Sequence, residues 1–373
     1  MTVSRAGERV ERWLERRGTA VAAVVAVLGV LARLRSARGP FLTPDEALHL
    51  KIADGADALE VYRNSLYNAH PPLFPILLHF WKEVARSDWT LRLLPVFFGI
   101  LFLGAAWGWA RRLLGEAAAL LVLAFAALLP SVVSVSSELR GYALLLAFVA
   151  AALASLERAL GDRSPAAMAA FGGLAALALL SHYAAFRFVA AAFVYSAVRL
   201  AAGPRPRRVV VAWAGSFALL GVVAAVLART HLAALRGGAL EAEARATWLA
   251  ESYYRSGAES PGRFFFRQTL SLFDYLFSSA AGAIALGLFL AGAGYLASRR
   301  RPAAILVTLP WILAAVGGLL DLYPYGGTRH SIDLTLFVAA GVSAAVAALT
   351  GQRRWVAVLV AAALAPAAFL AAG

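Results

Sequence analysis

Cysteine is absent from the 373 residues, which excludes disulfides, thiolate metal ligands and a cysteine nucleophile. Charge is scarce too: 15% of residues are charged and 61% are hydrophobic, with a mean hydropathy of +0.72. Neither a separate soluble domain, nor a short repeat, nor a β pattern is evident. A soluble domain of this length would show amphipathic periods of about 3.6 or 2 residues. Instead, many apolar runs of Ala, Leu and Val, with Gly inside them, approach the ~20 residues that cross hydrocarbon. The composition predicts an all-α, polytopic transmembrane bundle, with residues 1–373 as one transmembrane domain.

The runs near 19–34, 90–110, 117–135, 141–157, 166–181, 184–198, 208–228, 275–297, 303–320, 331–350 and 355–372 predict about 11 spans. The first run follows a charged segment through Arg17, and no A-x-A site comes after it, so a cleavable signal peptide is not expected. The apolar stretch from Pro72 to Arg86 covers only about 15 residues, below spanning length. If it does not cross and the N-terminus is cytoplasmic, five basic groups lie inside: Arg111–Arg112, Arg158 with Arg163, Arg205 with Arg207 and Arg208, Arg299–Arg301, and Arg353–Arg354. The inner side then holds about 18 basic and 6 acidic residues, against about 17 and 15 outside, as the positive-inside rule requires. If it crossed, each of these clusters would lie outside. Residues 72–86 are therefore expected to form an interfacial helix at the outer surface, with Phe74, Phe80 and Trp81 in that layer.

The formal charge of +14 is thus a matter of sidedness, and no nucleic-acid partner is expected. With this topology all six histidines and about 15 of the 21 acidic residues lie at the outer face, so any acid–base chemistry belongs there. Two outer loops are long. The first runs over 35–88 and the second, charged and aromatic, over 229–274.

The first loop carries Asp45–Glu46 in the string T-P-D-E-A-L-H-L. Such a pair commonly caps a helix, here opened by Pro44. Its company gives it a second reading: His49 follows one turn later, and His70-Pro71-Pro72 opens the interfacial helix, where His70 either caps the helix or faces an anion. In the turn Ser137 to Tyr142, Glu138 and Arg140 sit at the outer membrane edge, where an unpaired charge costs a few kcal/mol. They either pair with each other or face a ligand. His182–Tyr183 reads first as an interfacial anchor, while Arg329–His330 would hold a lipid phosphate or face headgroups. Carboxylates beside cations at a membrane surface suit transfer from a lipid-phosphate donor: a carboxylate takes a hydroxyl proton and cations stabilise the departing phosphate.

The arrangement resembles the GT-C glycosyltransferases, in the branch of protein O-mannosyltransferases and aminoarabinose transferases. That branch reads D-E-A after its first span, then H-P-P-L, L-R-L-P, R-R-L-x-G and S-Q-E-A-R-x-Y. Here these are Asp45-Glu46-Ala47, His70-Pro71-Pro72-Leu73, Leu91-Arg92-Leu93-Leu94-Pro95, Arg111-Arg112-Leu113-Leu114-Gly115 and Ser136 to Tyr142, with Ser137 in place of Gln. Later H-Y and R-Y elements correspond to His182–Tyr183 and, less well, to Arg329–His330. The likeness covers the first ~185 residues by motif and the rest by hydropathy and the late Arg. It implies a membrane glycosyltransferase that moves a hexosyl or pentosyl group from a polyprenyl-phosphate carrier to a lipid, glycan or protein acceptor. The reaction would take place at the outer face of the cytoplasmic membrane.

Carried over by position, the resemblance implies Asp45 as general base or acceptor-positioning carboxylate with Glu46 in support, and Glu138 as a second acid near acceptor or metal. His70, Arg140 and Arg329 contact donor phosphate, with His330 beside them, and His49, His182 and Tyr142 are further candidates. A divalent cation is left open by the likeness. Two rival readings are a transporter or flippase for lipid-linked sugars, and a non-catalytic scaffold of the same fold. Transport would need ionisable groups in mid-span, whereas the polar residues concentrate at the outer rims.

Overall fold

Every regular element among the described residues is helical. The computed structural model describes residues 5–39, 41–66, 70–203, 206–235 and 238–371, so Arg205 lies outside them. In chain order the helices are α1 (Arg5–Ser36), α2 (Pro44–Ile52), α3 (Ala58–Ser65), α4 (Leu73–Trp81), α5 (Asp88–Leu114), α6 (Glu116–Leu128), α7 (Pro130–Val135), α8 (Tyr142–Gly161) and α9 (Pro165–Ser181). There follow α10 (Ala185–Ala202), α11 (Arg207–Leu227), α12 (Ala233–Leu235), α13 (Ala239–Ala246), α14 (Pro261–Phe277), α15 (Ser279–Arg299), α16 (Arg301–Leu319), α17 (Leu334–Leu349) and α18 (Trp355–Ala371).

Seven of them, α1, α5, α8, α10, α11, α15 and α16, are long and apolar enough to cross a membrane. Four shorter apolar helices of 13 to 17 residues, α6, α9, α17 and α18, overlap the other four predicted runs and are shorter than a full crossing. With nine residues, α4 is about 14 Å long, half of what hydrocarbon requires. One buried apolar cluster runs from Ala22 in α1 to Ala368 in α18.

Three local features decide how the chain turns. In the first loop, Thr43 and Glu46 form a capping box around Pro44, so α2 begins where two backbone donors are satisfied by side chains. The expected span at 117–135 is broken, because Leu129 is extended and Pro130 starts α7. Pro130 has no N–H, so the Ala126 carbonyl loses its helical donor. Arg33 of α1, fully buried, supplies the replacement: Nη2 donates to Ala126 O at 2.8 Å and Nη1 to Ala127 O at 3.0 Å.

The third feature corrects an expected boundary. The span predicted from residue 275 begins only at Ser279, because α14 is a separate helix that ends at Phe277. Phe264, Gln268, Leu272, Phe273 and Leu276 give α14 a buried face at helical spacing. Ser278, at φ 74°, then reverses the chain. Much of the expected second loop is thus a helix packed into the bundle, and its apolar face is what the run-length reading merged with α15.

Candidate active site

Glu46, on α2, is the anchor of the site. Its carboxylate is buried and accepts four hydrogen bonds. Arg92 Nε and Nη2 donate at 2.8 Å each, Thr43 N at 2.9 Å and Leu139 N at 2.8 Å. Burial alone would raise this carboxyl, yet Arg92 and the two backbone N–H groups outweigh it and hold it below the usual value. Arg92 also donates to Gly39 O at 2.8 Å and Phe41 O at 2.7 Å. One ion pair therefore fastens Ala37, Gly39 and Phe41, α2, α5 and the 136–141 turn together.

The neighbouring residue, Asp45, faces the other way and is half-exposed. Its Oδ2 lies 2.6 Å from Arg140 Nη1 and 3.1 Å from Arg329 Nη1. Arg329 Nη1 also lies 3.7 Å from Glu138 Oε2, and Ser134 Oγ donates to Glu138 Oε1 at 2.6 Å. Two carboxylates and two guanidiniums from three distant parts of the chain thus meet in one charge-balanced cluster. Arg329 is brought there by the turn before it. Gly326 has φ 128°, and a Cβ would lie 2.4 Å from Gln268 Oε1, so only glycine lets the turn lie on α14. Tyr325 pins the same turn: its N donates to Ser252 O at 2.9 Å and its hydroxyl lies 2.7 Å from Thr269 Oγ1. A cavity of about 430 Å³ opens beside the cluster, lined by Ser131, Ser134, Glu138, Trp248, Tyr275 and Arg329.

Behind the charged cluster lie four imidazoles. His49 and His70 have ring centroids 5.1 Å apart, His70 and His182 also 5.1 Å, and His182 and His330 6.2 Å. Tyr142 sits 4.9 Å from His182, with the Arg140 guanidinium 5.2 Å over its ring. Ala184 N donates to His182 Nδ1 at 3.1 Å, which leaves the His182 proton on Nε2. Burial and the nearby cations keep the group neutral: His49 is lowered to about 3, His330 to about 4, and His70 and His182 well below their usual value.

Among the described residues no three His, Asp or Glu side chains are arranged to hold a metal ion. Asp45 and Glu138 are turned toward arginine instead.

Residues 69–229 match the family described as dolichyl-phosphate-mannose-protein mannosyltransferase. The solved oligosaccharyltransferase of Archaeoglobus fulgidus, in complex with Zn and sulfate, aligns at 15% identity and TM-score 0.53, over 94% of this chain and 52% of its own. ArnT from Cupriavidus metallidurans, bound to undecaprenyl phosphate, aligns at 16% identity and TM-score 0.53, over 88% of this chain and 59% of its own. The chain shares the fold of these solved structures, an all-helical bundle in which, among the described residues, seven helices are long and apolar enough to cross a membrane. It spans little more than half the length of these solved structures. No curated protein matches it.

In this fold the residues singled out from the sequence divide into three sets. Asp45, Glu138, Arg140 and Arg329 come together in the charged cluster, of which Glu138 and Arg329 line the cavity. His49, His70, His182, His330 and Tyr142 form the neutral group behind them. His70 had been expected at the mouth, facing an anion. It is buried instead, because the Pro71–Pro72 entry turns it inward against His49 and His182. His330 lines the cavity beside Arg329 while its ring lies 6.2 Å from that of His182, and its carbonyl accepts from Arg187 Nη2 at 3.0 Å. Glu46, expected as a supporting acid, stands alone in the third set, closed off by Arg92.

Sequence reasoning missed Arg92, Arg33 and the buried Arg187–Asp333 pair. A single signal was available for the first two: an arginine inside an apolar run must find an acceptor.

Proposed function

We propose that this protein transfers a sugar from a polyprenyl-phosphate carrier to an acceptor hydroxyl at the outer face of the cytoplasmic membrane. The observation that carries the reading is Asp45 Oδ2 shared between Arg140 and Arg329 beside an open cavity. Without donor, both guanidiniums hold the Asp45 carboxylate. When the donor's phosphodiester reaches the two guanidiniums, they turn to its oxygens and Asp45 is freed next to the reacting carbon.

The acceptor hydroxyl then gives its proton to Asp45 while its oxygen bonds to the anomeric carbon. The bond from that carbon to the phosphate oxygen breaks, and polyprenyl phosphate leaves with one more negative charge than the diester carried. Arg140 and Arg329 are positioned to stabilise that added charge. Glu138 lines the cavity and orients the acceptor hydroxyl. Glu46 and Arg92 act through position alone, holding α2 so that Asp45 faces the arginines. The neutral histidines form the back wall, where a second positive charge would compete with the arginines for phosphate.

A multi-pass fold of the mannosyltransferase and ArnT type supports the lipid-linked donor, and ArnT itself is solved with undecaprenyl phosphate. The test uses purified protein, a radiolabelled polyprenyl-phosphate sugar and a mixture of lipid and glycan acceptors. Transfer should fall about 10²–10⁴-fold in Asp45→Asn, the usual worth of a general base. Wild-type transfer in that variant would remove Asp45 from the mechanism.

A further inference from the structure

The end of the bundle opposite the Asp45 cluster holds a cavity of comparable size. It measures about 460 Å³ and lies between the ends of α5, α8 and α10 and the start of α16. Arg112, Arg199 and Arg300 line it, with Glu157 and Tyr195 at its floor. A second cavity of about 240 Å³ adjoins it, sharing Arg199 and adding Arg163. We propose that this paired cavity binds the phosphate of an anionic lipid headgroup.

Basic residues at the inner ends of spans need no cavity and no buried support; a loop position facing water suffices. Arg199 has both. Its Nη1 donates to the hydroxyl of the fully buried Tyr195 at 2.5 Å and lies 3.5 Å from the buried Glu157 carboxylate. Tyr195 in turn donates to Glu157. A carboxylate buried between helices is retained only where it is paired and hydrogen-bonded. Here the pairing fixes one guanidinium, about a third exposed, at the wall shared by the two cavities.

Arg300 is held in a similar way, by a hydrogen bond to the Leu113 carbonyl at the end of α5. Arg112 shares the exposed Asp162 with Arg158, at 3.2 and 3.9 Å. The start of α16, with Pro302 in its first turn, adds the positive end of a 19-residue helix. Four arginines thus face one buried and one exposed carboxylate, an excess suited to phosphate. The source is a lipid rather than a free anion because Val194 and Val198, next to Arg199 on α10, are exposed and offer acyl chains an apolar face.

The full chain is reconstituted in vesicles of equal phosphatidylglycerol and phosphatidylcholine, extracted in mild detergent, and its retained lipids are counted by native mass spectrometry. Wild type should retain phosphatidylglycerol preferentially. Arg199→Gln and Arg300→Gln should each lower that retention about fivefold, the worth of one basic side chain near a membrane surface. Arg353→Gln, on the same face but outside the cavity, should retain wild-type levels. Should Arg199→Gln fail to fold for want of its Glu157 partner, Arg112→Gln leaves that lock intact and should show the same loss. Equal retention in wild type and the cavity variants, or an equal loss in Arg353→Gln, overturns the proposal. In a second arm, lipid-stripped protein is heated with short-chain phosphatidylglycerol or with inorganic phosphate. Stabilisation by the lipid alone supports the headgroup assignment, while equal stabilisation by inorganic phosphate overturns it in favour of a free anion.

Discussion

Asp45 and Glu46 are adjacent carboxylates with opposite fates, because successive helical residues face about 100° apart. Glu46 turns inward to Arg92 and is shut off from solvent, while Asp45 turns to the cavity. Substitution should separate them. Glu46→Gln leaves Arg92 buried without its charge partner, which costs about 3–5 kcal/mol. The expected result is a markedly lower melting temperature in detergent, with activity falling in the folded fraction as well, because α2 no longer holds Asp45 against the arginines. Arg329→Ala should differ. Its guanidinium is half-exposed, so the fold should persist while affinity for polyprenyl phosphate falls about 10–100-fold, one or two charge-assisted contacts. Binding measured with fluorescent polyprenyl phosphate checks this, and unchanged affinity would take Arg329 out of the clamp.

At the scale of elements, the bundle depends on a few close helix approaches. On α15, a Cβ at Gly292 would lie 1.9 Å from the Gly341 carbonyl oxygen of α17, so the backbones meet directly. Gly292→Ala should destabilise by about 1–3 kcal/mol, since two helices must separate. Gly104→Ala, on α5, meets nothing within 4 Å and should be neutral or slightly stabilising. Thermal denaturation of the two variants side by side tests whether packing or helix propensity decides the outcome. Element identity was mostly legible in the chain, since run length and apolarity report on lipid directly. The division of α14 from α15 was not, because Phe273 to Phe277 extend the apolar run across a break made by a single residue, Ser278, at positive φ. Arg33 was invisible as a partner of Ala126 for a related reason: its acceptor exists only because Pro130, far along the chain, frees a carbonyl.

For the whole molecule, His49, His70, His182 and His330 predict an acid limit. His49 and His330 titrate near 3 and 4 when folded, against 6.5 for a free side chain, and His70 and His182 lie well below 6.5. Below pH 6.5 the unfolded chain takes up protons that the folded chain refuses, so stability is complete above that pH and falls as pH drops toward 4 and then 3. Melting temperatures from pH 7.5 to 4 should decline across this window, and His49→Phe combined with His330→Phe should flatten the decline. Sidedness is a second whole-molecule prediction. Reporter fusions in the 111–116 and 299–301 loops should report the cytoplasmic side, in line with the charge distribution. An external signal at either loop would invert the proposed orientation of the Asp45 site.

Composition and run lengths alone determined that this chain is a helical membrane protein, because hydrocarbon imposes a length and an apolarity on each crossing that local sequence must satisfy. Local motifs also marked Asp45, Glu138, Arg140 and Arg329 as residues of interest. Their convergence into one cluster, and the withdrawal of Glu46 and His70 from it, were decided by the tertiary structure. Which way a side chain faces depends on partners such as Arg92, 46 positions away, and Gln268, under the Gly326 turn. No local pattern carries such pairings, since they are set by how distant helices pack.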